Sequence, residues 1–151
     1  MSCNGRNSEI RDAVDAVNKT TPAKSWDSEK FESVAFDAED NVVIFEIANV
    51  YPDAQMNDSA DNQRKTGIWY ISNFMTAYGY VKDGSDDCEG DAEMFRAVGS
   101  LLKLMVENEV GARFKFYFSE GGSFSCDLSP KDVKKAVRMR KEDYYDEFGS
   151  R

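Results

Sequence analysis

The stretch from Phe114 to Leu128 constrains the fold more than any other part of this chain. Phe114, Phe116 and Phe118 alternate with Lys115 and Tyr117, the period of two that belongs to a half-buried strand. Glu120-Gly121-Gly122-Ser123 then turns the chain, because glycine reaches positive φ without a steric penalty. Phe124, Cys126 and Leu128 alternate on the way back and complete a hairpin. A hairpin with one apolar face is not stable alone in water, so other segments must cover it. Ser129-Pro130 opens one such segment at once, with Ser as N-cap, Pro at the first helical position and Asp132 in the first turn. Val133, Ala136, Val137, Tyr144 and Phe148 supply its packing face.

The rest of the chain repeats the theme. Residues 9–18 read as a helix capped by Asn7 or Ser8, with Ile10, Ala13, Val14 and Val17 on one face, and Thr20-Thr21-Pro22 ends it. Two strands follow at 31–37 and 42–50, joined by the turn residues Ala38-Glu39-Asp40-Asn41. The second is apolar on both faces at its start and is expected inside the sheet. Residues 51–63 read as a polar loop. Ile68, Ile71, Phe74, Met75 and Tyr78 then mark a second helix, with Trp69 and Tyr70 broadening its stripe. After a break at 83–91, a third helix over 92–108 has the strongest helical period, and Gly111 is expected to stop it. The order α-β-β-α-α-β-β-α predicts a single α+β domain over 9–151, behind a flexible N-terminal tether at 1–8. Its two hairpins are expected to form one antiparallel sheet of about four strands packed with helices.

Size agrees with one core: 151 residues, 41% hydrophobic and 13% aromatic. Chemistry is limited by an absence, since the chain contains no histidine. Histidine is the commonest metal ligand and the usual base beside a Ser or Cys nucleophile, so those mechanisms are excluded. Acidic residues outnumber basic ones 28 to 19, a net charge of −9. That balance opposes direct nucleic-acid binding, which needs Lys and Arg on phosphates. It suits a soluble surface or a basic partner. No apolar run reaches the roughly 20 residues of a membrane span.

Three cysteines remain, Cys3, Cys88 and Cys126. Without histidine or a C-x-x-C pair they do not form a zinc site. Cys88 and Cys126 are a candidate disulfide in an oxidising compartment; the alternative is a buried Cys126 beside an exposed thiol. The acidic run from Asp83 to Asp91 departs from the EF-hand order, with Cys88 at the sixth position and Met94 at the twelfth, and reads as a solvated loop that charges the next helix. Glu46 is the one acid embedded in an apolar strand, a candidate for a perturbed carboxylate or simply a solvent-face residue. No pair of acids distinguishes itself as catalytic, so a non-enzymatic chain without cofactor or metal is expected, with carboxylate-only catalysis left open. Lys131, Lys134, Lys135, Arg138 and Lys141 form a basic stripe on the last helix, beside the acids Glu142, Asp143, Asp146 and Glu147.

Cys3 followed by a polar stretch, the Val17-to-Pro22 helix end and the Phe116-to-Val133 hairpin-plus-helix loosely resemble small lipoproteins and periplasmic proteins of unknown function from Bacteroides-like bacteria. The resemblance implies an α+β domain at the periplasm or envelope rather than the cytoplasm, with Cys3 as the candidate lipid anchor and sole membrane attachment. The expected function is a non-enzymatic protein-binding domain. Candidate interface residues are Trp69, Tyr70 and Tyr78 on the aromatic helix, with Tyr51, Asp58 and Asp61 from the polar loop. Two alternatives are an acidic inhibitor of the immunity or phage anti-defence type, which captures a basic effector enzyme, and a secretion-chaperone-like dimer.

Overall fold

The computed structural model of the chain describes residues 2–24, 29–50, 59–82, 91–139 and 141–148. The elements run α1 (Ser2–Asn18), β1 (Ala23–Lys24), β2 (Lys30–Asp37), β3 (Val42–Val50), α2 (Ala60–Lys82), α3 (Ala92–Glu107), β4 (Gly111–Phe118), β5 (Ser123–Leu128), α4 (Pro130–Arg138) and α5 (Lys141–Phe148). The α+β class and the order α-β-β-α-α-β-β-α are as expected, with four long strands and the two-residue β1 at one edge.

The strands lie side by side in chain order, and both hairpins are antiparallel. The expectation of a wholly antiparallel sheet is corrected at its centre, where β3 and β4 are parallel, Val43 opposite Ala112 and Phe45 opposite Phe114. A hairpin settles pairing only within itself. Between these two hairpins the chain makes a long helical excursion through α2 and α3, and such a crossover is what parallel neighbours require. β3 is the interior strand its two apolar faces predicted.

One sheet face carries the core. Phe31, Phe45, Phe114 and Phe116 are fully buried there, with Phe45 stacked on Phe114 at 4.8 Å between ring centroids. The helix α2 lies across them. Its Phe74 meets Phe31 edge-on at 5.4 Å, its Tyr70 lies against Phe114 and Phe116, and its Gly67 sits over Cys126 and Leu128. The remaining helices add Ile10, Val14 and Val17 from α1, Phe95 and Leu102 from α3, and Val133 and Ala136 from α4 to the same core. The Asn18 side chain pins α1 to the sheet, donating to the Val34 carbonyl at 2.8 Å and accepting from the Val34 N–H at 2.9 Å.

Several boundaries differ from the sequence reading. The segment read as a tether is helical, because α1 begins at Ser2. The helix α2 begins inside the expected polar loop, where the Ser59 hydroxyl accepts from the Asn62 N–H and Asp61 lies in the first turn, both favourable at a helix N-terminus. The last helix is split in two by Met139, which is extended and buried. Gly111 is not a helix stop. Glu109 takes the positive φ after α3, and a Cβ on Gly111 would lie 2.7 Å from the Leu128 carbonyl oxygen, so glycine there serves the close approach of β4 to the end of β5.

Candidate functional site

In β4 and β5 every second residue points away from the core, onto a face that none of the described helices covers. Burial alternates accordingly: Ala112, Phe114 and Phe116 are buried in β4, while Arg113, Lys115 and Tyr117 are partly or largely exposed. Two bonded groups cross this face. Glu46 accepts from the Ser33 hydroxyl at 2.9 Å and from the Tyr117 hydroxyl at 2.8 Å, tying β2, β3 and β4 together. The bond to Glu46, with burial and the carboxylate charge, raises the Tyr117 phenol above its ordinary pKa and keeps it a donor. Arg113 reaches the Asp127 carboxylate in a fork of 2.7 and 3.1 Å and the Asp40 carboxylate at 3.3 Å. Those bonds hold the guanidinium further above its usual value, so it is charged at any physiological pH. Tyr117 is 40% exposed, and with Lys115, Ser123, Phe124 and Ser125 it borders a shallow depression beside β5, the last strand of the sheet.

The candidate carboxylate Glu46 is engaged as a hydrogen-bond acceptor by two neutral donors. Among the described residues no group of three or more Asp, Glu or Cys side chains is placed to hold a metal ion.

The candidate interface residues are scattered. Tyr70 is corrected outright: it is fully buried, and its hydroxyl donates to Glu29, 2.8 Å from each carboxylate oxygen. The aromatic stripe of α2 faces the sheet, so its most central ring is core. Trp69 is half-buried and meets Tyr70 edge-on at 5.0 Å. Tyr78 is half-buried on the α3 side, with the Lys103 ammonium 5.8 Å from its ring centroid. Asp61 is exposed and pairs with Lys65 at 3.2 Å and Arg64 at 3.7 Å. Tyr51 and Asp58 lie outside the described residues. Of the uncovered-face residues Glu46 was a sequence candidate, while Lys115, Tyr117, Ser123 and Ser125 were missed, although a signal existed: they are the alternate members of the two runs whose apolar residues announced the hairpin.

The cysteines do not converge on a described bridge. Cys126 is a free thiol beneath α2, and burial, reinforced by the charge of Asp127, pushes its pKa up to about 12. Cys88 lies outside the described residues, and Cys3 falls in the first turn of the α1 backbone. Of the acidic loop, Asp91 is described, and it caps α3 by accepting from the Glu93 and Met94 N–H groups. In the basic stripe, Lys135 pairs with Glu147, which removes one charge from that field. No described helix is long and apolar enough to cross a membrane. No protein-family model, curated protein or solved structure matches the chain.

Proposed function

We propose that this chain is a non-enzymatic protein-binding domain, and that its contact surface is the uncovered face of the sheet with the β5 edge beside it. One observation carries the reading: the described helices all pack on one face, while the other presents Tyr117 and Lys115 among groups already locked in position by Glu46 and the Arg113 pairs. Pre-ordered side chains lose little entropy on contact, and an aromatic with a polar tip is a good anchor. Across β5 the register with β4 is unbroken, so its outer side is a regular strand edge of the kind that accepts an extended segment from a partner.

A photo-crosslinking amino acid at position 117 or 125, compared with one at Glu93 on the exposed side of α3, tests this in the native host. The reading expects one discrete protein adduct from the sheet positions and none from the helix position. Equal labelling from both faces, or none from the sheet, would sink it. Membrane tethering through Cys3 is a separable part of the proposal, and mass spectrometry of the native protein should find an acylated cysteine if it holds.

A further inference from the structure

A second surface lies away from the sheet face, where the C-terminal halves of α2 and α3 meet the end of α4. A groove of about 490 Å³ opens there, lined by the apolar side chains of Met75 and Val137, by the Tyr78 ring and by Lys82, Lys103 and Arg138. Its described lining residues include no carboxylate, in a chain of net charge −9. Among the described residues none of the three cations is ion-paired. They come from three different helices, so the tertiary fold is what brings them together.

The wall of the groove is built, because the Tyr78 ring lies directly on Gly99 of α3, where a Cβ would come within 2.2 Å of it. The glycine lets the ring settle against α3, beneath the Lys103 ammonium at 5.8 Å. Lys82 and Arg138 also complement the carbonyl ends of α2 and α4, which accounts for a cation at each helix end. Lys103 stands a turn before the end of α3 and has no such role.

We infer that this groove binds an acidic peptide segment of a partner protein, with carboxylates on Lys82, Lys103 and Arg138 and an apolar side chain on Met75, Tyr78 and Val137. A peptide fits better than an anionic bilayer. The cations surround a concavity, and a flat membrane would also confront the negative surface of the rest of the molecule. The site is distinct from the sheet face, and neither reading depends on the other.

The test is a fluorescence-polarisation titration of the whole chain with a labelled synthetic peptide alternating Glu and Leu. Saturable binding is expected, weakening as NaCl is raised. The triple variant Lys82→Glu, Lys103→Glu, Arg138→Glu should bind at least about tenfold more weakly, as charge reversal at a complementary site predicts. All three residues are exposed, so the variant is expected to fold, and circular dichroism checks that it does. Reversal of Lys131 and Lys134, on α4 outside the groove, should leave affinity within about twofold, the small effect of exposed charges. Unchanged affinity in the triple variant overturns the proposal, as does an absence of saturable binding. So does a preference for vesicles containing phosphatidylserine over the peptide.

Discussion

Gly99 shows what a single residue decides in this molecule. It stands in α3 where the Tyr78 ring of α2 crosses, and a methyl group there would overlap that ring at 2.2 Å. Gly99→Ala is expected to destabilise the fold by about 1–3 kcal/mol, the usual penalty for overpacking, despite the better helix propensity of alanine. Urea denaturation measures this, and a neutral or stabilising result would show that Tyr78 can move aside. Nothing local in the sequence marks Gly99 out, because its partner belongs to another helix. Cys126 is similar. Its alternation with Phe124 and Leu128 placed it on the inner face, but only the packing of α2 shows that the thiol is covered. With its pKa pushed up to about 12, it should resist alkylation in the native protein and react once unfolded. Peptide mapping after iodoacetamide treatment checks that; rapid native labelling at position 126 would contradict it.

At the scale of the element, the start of α4 was the most legible part of the chain and behaves as its signals said. Ser129 and Asp132 form a reciprocal capping box, with Pro130 at the first position. Ser129→Ala should cost about 1 kcal/mol in a thermal or urea melt. Asp132 does more than cap, since it also receives a guanidinium fork from Arg64 of α2 at 2.9 and 3.2 Å. Burial pushes its carboxyl pKa up, but the Arg64 bonds and charge with the Ser129 groups outweigh that and hold it below the ordinary carboxylate value. A carboxyl depressed in the folded state contributes stability above its unfolded pKa, and that contribution is lost as pH falls through the folded value. As pH falls below about 4, the ordinary aspartate value, the wild type should therefore lose more stability than Asp132→Asn, which lacks the titrating group. Parallel loss in both proteins would assign the acid sensitivity elsewhere. The N-cap, the proline and the first-turn acid were readable because they are neighbours in sequence, whereas Arg64 lies a whole hairpin and two helices away.

For the whole molecule, stability centres on the aromatic row that joins the two hairpins. Phe114 stacks on Phe45 at 4.8 Å and on Phe116 at 5.6 Å, across and along the parallel pair. Phe114→Ala removes the shared member and should cost about 3–5 kcal/mol, a large share of the roughly 5–15 kcal/mol typical of a domain. A change below about 1 kcal/mol in equilibrium denaturation would mean that the row is not the centre of the core.

The sequence by itself determined the elements and the inward side of each. A period of two or of 3.6 is a local property, and side chains on one face of one strand or helix must be buried together. It therefore settled the two hairpins, the interior place of the second strand and the capped start of α4. Tertiary structure decided the parallel junction of the hairpins and the side of the sheet left uncovered. It also decided that the buried side of α2 takes Tyr70 inward and that Lys82, Lys103 and Arg138 surround one groove. Each of these rests on contacts between residues far apart in the chain. The energy of such contacts depends on how whole faces pack, and no local pattern encodes which faces meet.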